Sequence, residues 1–186
     1  MEPLARIFGS AARLRLLRLF VFNQESSLTL EEVSARAKVS ASDARGVLAD
    51  FAAAGLLRKK GSRPARYQAN PRFEHLAALA AFVRQSTSLQ SAQIVAALKK
   101  AGPTKLILLS GLFTGALESQ IDLLIVGDAL SERSLTQAIH VLEAELGREI
   151  RYASFSTPDF QYRKGVYDRL IRDVFDYIHT GSSSTK

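Results

Sequence analysis

Between Leu28 and Tyr67 the sequence reads LTLEEVSARAKVSASDARGVLADFAAAGLLRKKGSRPARY, and no other stretch restricts the fold as tightly. Leu30, Val33 and Ala37 recur at helical spacing, so a short helix opens at Leu28 or Thr29. Val39-Ser40 breaks it. Ser40, with Asp43 three residues on, is a Ser-x-x-Asp capping box for a second helix. That helix carries one apolar stripe, Ala44, Val47, Leu48 and Phe51, and Gly55 stops it. Leu56–Lys60 and Arg66–Gln68 then flank the turn Gly61-Ser62-Arg63-Pro64, which predicts a two-stranded hairpin.

Two helices about a tight turn, followed by a hairpin wing, make a shape suited to DNA: the second helix in the major groove, the hairpin along phosphates or the minor groove. Helix-turn-helix spacing alone also occurs in helical proteins with no such role. The charge argues for the functional reading. Arg58, Lys59, Lys60, Arg63 and Arg66 fall close together with no acid among them, as counterion release from phosphates requires. Ser40, Ser42 and Arg45 lie toward the outward, N-terminal end of the second helix and are the candidate groove readers. An Arg45 salt-bridged to Asp43 or Asp50 is the competing reading.

Charge is unevenly divided along the chain. Of the 25 Lys/Arg and 18 Asp/Glu, residues 1–85 hold 14 and 7, while the remainder holds 11 of each. The whole excess of +7 therefore lies in the half that carries the basic hairpin, which a scattered solubilising charge would not produce. No apolar run approaches the roughly 18 residues of a membrane span. Arg13, Arg15 and Arg18 interrupt the apolar N-terminal residues, so no signal peptide is expected there. Without cysteine there is no disulfide framework, thiolate zinc site or cysteine nucleophile, and a cytoplasmic location is expected.

The remaining segments set the domains. A helix after Gly9-Ser10, with Leu14, Leu17 and Val21 on one face, packs behind the two DNA-facing helices. Arg72–Gln85 forms another, rich in alanine, which serves either as a homodimer seam or as support for its own domain. Ser86-Thr87-Ser88 marks the boundary. Leu89–Lys100 is helical; Lys105–Ser110 and Ile121–Val126 are buried strands. Ser131 caps a helix that Gly147 ends, Glu149–Phe155 alternates as a strand, and Thr157-Pro158-Asp159 opens a C-terminal helical stretch through Ile178. The expected architecture is α+β, with domains at 1–85 and 86–180, the second a small α/β unit with a mixed sheet. The polar tail, 181–186, is expected to be disordered.

Ser110-Gly111-LFTG-Gly115 followed by Ile121-Asp122-LLIVGD resembles the core of the minimal nucleotidyltransferase family, of the DNA polymerase β-like fold. The resemblance implies a Gly-Ser turn for nucleotide phosphates, an Asp-x-Asp for divalent metals and a third carboxylate on a later strand. Gly111, Phe113, Gly115 and Asp122 fit that pattern. Leu112 replaces the turn Ser, Thr114 the Arg before the second Gly, Gln120 the first Asp, and Arg151 the third carboxylate, with Glu149 on the same strand face. One Asp beside a cation is a poor Mg²⁺ site. Gly111, Gly115 and Asp122 are thus expected to be a vestigial nucleotide site without catalysis, metal or cofactor; the glycines alternatively serve only a tight strand exit.

Over nearly its full length the chain resembles prokaryotic regulators with an ArsR-like winged helix-turn-helix and a nucleotidyltransferase-like second domain. Ile7-Phe8-Gly9-Ser10-x-Ala12-Arg13 and Gly147-Arg148-Glu149-Ile150 share in that likeness. It implies a transcriptional regulator that binds double-stranded DNA as a homodimer, the second domain sensing a nucleotide effector or mediating assembly. The alternatives are an active nucleotidyltransferase guided by its winged domain, with Asp122 and Glu149 on the metal, and an antitoxin-like protein that binds a partner. His75, His140 and His179 have no metal-ligand spacing.

Overall fold

The structure, a computed structural model, describes residues 3–87, 89–116, 118–176 and 180–183. The chain is α+β and forms two compact units, Met1–Ser88 with His140–Glu149, and Leu89–Ile139 with Ile150–Lys186.

In the first unit, α1 (Pro3–Ile7) and α2 (Ala11–Phe22) precede a short strand, β1 (Leu28–Thr29), then α3 (Leu30–Ala37) and α4 (Ala41–Ala53). Strands β2 (Leu57–Lys60) and β3 (Arg66–Ala69) form the hairpin, and α5 (Leu76–Ser86) follows. Local chemistry explains the helix starts. The Ser10 hydroxyl accepts the Arg13 N–H at 3.0 Å. Thr29 and Glu32 close a reciprocal capping box, at 3.2 and 2.6 Å. Ser40 accepts the Asp43 N–H at 3.0 Å, but the Asp43 carboxylate takes the Ser40 hydroxyl rather than its backbone N–H, so the expected box is one-sided. The apolar stripes meet in one core that includes Leu16, Phe20, Val33, Ala44, Leu48, Phe51, Ala80 and Val83.

The hairpin belongs to a three-stranded antiparallel sheet in the order β1-β3-β2, with Leu28 opposite Tyr67. Sequence periodicity contains no sign of β1, because two residues carry no period. Helix α5 starts at Leu76 rather than Arg72. Asn70 holds the intervening turn, donating to the Gly55 carbonyl at 2.8 Å and accepting the Arg72 N–H at 3.1 Å.

The second unit opens with α6 (Ser91–Leu98), which tightens into a 3-10 turn at Lys99–Ala101. Strand β4 (Leu106–Leu109), a second 3-10 turn at Gly111–Phe113, and β5 (Leu123–Val126) come next. After α7 (Glu132–Leu146) come β6 (Tyr152–Phe155), α8 (Thr157–Gly165), α9 (Arg169–Asp176) and β7 (Thr180–Ser183). The four-stranded sheet has the order β6-β5-β4-β7; β5 and β6 are parallel and the other pairs antiparallel, the mixed sheet expected. Leu123, Leu124, Ile125 and Val126 are all buried, which is why that run reads as continuously apolar.

Three expectations are corrected. Residues 181–183 of the tail, expected to be disordered, continue from Thr180 as an antiparallel edge strand on β4, Leu109 opposite Thr180. Backbone hydrogen bonds ignore side-chain polarity, so a Gly-Ser run can fill an open strand edge. Residues 184–186 and Ile178 lie outside the described residues. The C-terminal helical stretch opens at Thr157, with Ser156 as its cap, and is divided into two helices by a break at 166–168. The single cut after residue 85 misplaces 140–149, the end of α7 and its exit, which pack in the first unit.

The contacts of that segment are tight. Arg18, 3% exposed, donates to the Glu145 carbonyl at 2.9 Å and to the Thr87 hydroxyl at 3.0 Å. Arg15 pairs with the Glu145 carboxylate, Asn23 donates to the Gly147 carbonyl at 2.8 Å, and Arg148 lies over the Phe22 ring at 4.8 Å. Gly147 has φ +72, and a Cβ there would stand 2.6 Å from the Arg18 backbone carbon. Replacing Gly147 with Ala should therefore combine a left-handed backbone penalty with overpacking, about 2–4 kcal/mol together. Hydrogen exchange of the α2 amides should accelerate accordingly; unchanged protection would mean this approach is not required by the unit.

Candidate functional sites

Helix α4 packs on β2, so its exposed side and the hairpin belong to one unit. Ser40, Ser42, Arg45, Gly46 and Ala49 are exposed. Among the described residues Arg45 enters no ion pair: Asp43 bonds Ser40 and Asp50 pairs with Arg13. Gly46 stands in the helix interior with open space where a Cβ would project.

The five hairpin cations divide into two kinds. Lys59, Lys60 and Arg63 are exposed and unpaired among the described residues. Arg66 is engaged, donating to the Ser27 carbonyl and pairing with Glu32 at 3.4 Å. Arg58 is half-buried, with its Nε shielded and without a hydrogen-bond partner. Register puts Lys60 opposite Arg66 and Lys59 opposite Tyr67, so the cations do not share one face. Like charges directly opposite each other destabilise a hairpin. Hydrogen bonds from Thr29, and to a lesser degree the Arg66 and Arg36 charges, hold the Glu32 carboxyl below the usual range.

The glycine turn of the second unit is built around Asp122, which is 2% exposed. Its carboxylate accepts the Leu112 N–H at 2.8 Å, the Arg151 N–H at 2.9 Å, and the Arg151 guanidinium at 3.1 and 2.8 Å. Burial opposes ionisation of Asp122, but the Arg151 side chain and the two backbone donors outweigh it, and the pKa is lowered. The Arg151 pKa is raised, chiefly by its bonds to Asp122. Gly111, at φ +48, lies so close that a Cβ would collide with the Asp122 carboxylate. Gly115, at φ +82, has no such neighbour. The Glu149 carboxylate belongs to the first unit and pairs with Arg36 at 3.2 Å, so it does not join Asp122 as the strand alternation suggested. Strand β6 starts only at Tyr152, and alternation has no force before it.

Asp173, which sequence reasoning missed, completes this cluster. Its carboxylate accepts the Gln120 N–H at 2.8 Å and lies 3.1 Å from the Ser119 hydroxyl, which in turn accepts from Ser110 at 3.0 Å. No spacing rule connects a residue of α9 with the head of β5. Among the described residues no three His, Asp or Glu side chains gather as a metal site would need. His140 bonds Glu143 at 2.8 Å, His75 meets Phe73 edge-on, and His179 lies outside the described residues. No protein-family model matches the chain, and no curated protein or solved structure shows significant similarity to it.

Three carboxylates of the second unit have lowered pKa values. Besides Asp122, these are Asp128 and Asp168. Asp128 comes down to about 2 through the Lys105 ammonium and through Thr157, whose backbone N–H donates to it at 2.7 Å. At Asp168 burial is outweighed by the Ile171 and Leu170 N–H groups and by Arg163. A folded pKa below the unfolded one adds stability above about pH 4 that is lost as pH falls toward 2. The second unit should therefore lose thermal stability over that window, and Asp128→Asn should reduce the loss. Arg151→Ala leaves a buried carboxylate with two backbone donors and should cost about 2 kcal/mol in denaturant titrations at neutral pH. A cost near zero would show that Asp122 does not need its guanidinium.

Proposed function

We propose that the chain is a DNA-binding transcriptional regulator. In this reading the first unit is an ArsR-like winged helix-turn-helix, and the second a nucleotidyltransferase-like domain that senses or assembles and does not catalyse. The observation that carries it is the exposed side of α4, with unpaired Arg45 and the open site at Gly46, in the same unit as three free hairpin cations, Lys59, Lys60 and Arg63. A glycine inside an exposed helix costs roughly 0.5–1 kcal/mol against alanine. Close approach of a duplex to the helix surface gives that cost a purpose.

Arg45 and Ser42 are the groove readers, with Ser40 at the helix start. The exposed cations contact phosphate, while Arg66 and Arg58 spend part of their capacity within the hairpin. A homodimer formed through α1 and α5 accords with exposed Ile7 (76%) and Phe82 (43%). Catalysis has less support: both oxygens of Asp122 already bond Arg151, and a metal would have to displace that guanidinium. Among the described residues no helix is long and apolar enough to cross a membrane.

Salt titration of binding to fragments of the upstream DNA tests this directly. With three free phosphate contacts per hairpin, log K should fall against log salt with a slope of about −2.7 per monomer from the wing. Lys59→Ala with Lys60→Ala should flatten it by roughly 2. Glu32→Gln keeps a capping side chain but releases Arg66, and should steepen the slope by about 1. Gly46→Ala should raise stability by about 0.5–1 kcal/mol, whereas Gly46→Phe should block fragment-selective binding. Unselective binding with a shallow slope, insensitive to the Lys59/Lys60 pair, to Glu32→Gln and to Gly46→Phe, defeats the proposal.

A further inference from the structure

The last two helices of the second unit enclose a groove that the foregoing reading does not use. Its volume is about 490 Å³, within the usual span of small-molecule sites, roughly 300–1,000 Å³. Gln161, Lys164, Tyr167, Ile171, Arg172 and Phe175 line it. Ile171 is buried and forms an apolar floor, while the Tyr167 and Phe175 rings are 84% and 46% exposed.

The link between α8 and α9 closes as a Schellman motif. The Asp168 N–H donates to the Arg163 carbonyl at 3.0 Å and the Tyr167 N–H to the Lys164 carbonyl at 3.4 Å. The first residue past the cap, itself the donor to the Lys164 carbonyl, adopts the left-handed conformation in this motif, and glycine is its usual occupant. Here it is Tyr167, at φ +54. A side chain disfavours that backbone, and a ring this exposed returns almost no packing energy. Folding alone would favour glycine at 167.

Charge in the wall is one-sided. Asp168 also lines the groove, but its carboxylate is committed to the Leu170 and Ile171 N–H groups, at 2.9 and 3.3 Å, and to Arg163 at 2.9 Å. The Lys164 and Arg172 side chains are exposed and enter no ion pair among the described residues. Two aromatic faces and two free cations thus surround an apolar floor. We propose that this groove binds a small planar aromatic anion, its ring against Tyr167 and Phe175 and its anionic group between Lys164 and Arg172. The site is independent of whether the first unit binds DNA.

The test is an NMR titration of the full-length protein with benzoate and adenosine monophosphate, each beside its uncharged counterpart, benzamide and adenosine, and with inorganic phosphate. At least one aromatic anion should give saturable shifts at Tyr167, Arg172 and Phe175, and its neutral counterpart should bind at least tenfold more weakly. Which anion binds separates a carboxylate from a phosphoryl ligand. Tyr167→Gly should weaken binding at least tenfold while the thermal midpoint stays level or rises, an outcome a structural role for the ring would not give. Lys164→Gln with Arg172→Gln should erase the preference for anions. The proposal is overturned if neither anion shifts these residues at millimolar concentration, if neutral counterparts or phosphate bind equally well, or if Tyr167→Gly binds like the parent.

Discussion

Asp122 is the residue on which the second unit turns. Its carbonyl accepts the Ser110 N–H at the end of β4, and its own N–H donates to the Arg151 carbonyl before β6. Its side chain then secures the Leu112 N–H and both the backbone and guanidinium of Arg151. One buried carboxylate therefore fixes the exit of β4, the head of β5 and the entry to β6. Taking that charge out of water is costly, and it is tolerated because four donors converge on it. The same crowding dictates Gly111, since any side chain there would stand in the carboxylate's place.

Most of the chain obeys local rules, with capped helices, buried stripes and paired strands. The exceptions are few. Gly46 weakens an exposed helix, Lys38 and Tyr167 adopt left-handed backbone, and Lys60 lies opposite Arg66. Each costs stability. Such departures concentrate where a sequence serves something besides its fold. Gly46 and the Lys60–Arg66 pair lie on the α4–hairpin surface, Lys38 in the turn between α3 and α4, and Tyr167 beside the C-terminal groove.

What the sequence revealed was what neighbouring residues decide among themselves. Ser10, Thr29 and Ser40 cap helices within three positions, and the stripe Ala44, Val47, Leu48 and Phe51 is buried as its spacing implies. Partners distant in the chain were not legible. Periodicity gives the buried face of α7 but not that its end packs on α2 through Arg18. Strand β7 exists because β4 has an edge to fill, and Thr180–Ser183 carry no strand pattern of their own. Five clustered cations read as equivalent until Glu32 and the Ser27 carbonyl, at the head of α3, claim Arg66. The glycine turn was visible in sequence, yet Asp173, which finishes its hydrogen bonding from α9, was not.

Arg151 gives the proposed loss of catalysis a physical form. Carboxylates gathered for a divalent ion repel one another until the ion arrives, so a turn built on them is stable only when loaded. A guanidinium in the same cluster supplies the neutralising charge permanently, and its fork matches a carboxylate in two parallel bonds. Asp122 and Asp173 then serve a single fixed cation, the first by direct bonds and the second through the field it places on Arg151. A turn held this way is neutralised by the protein's own cation.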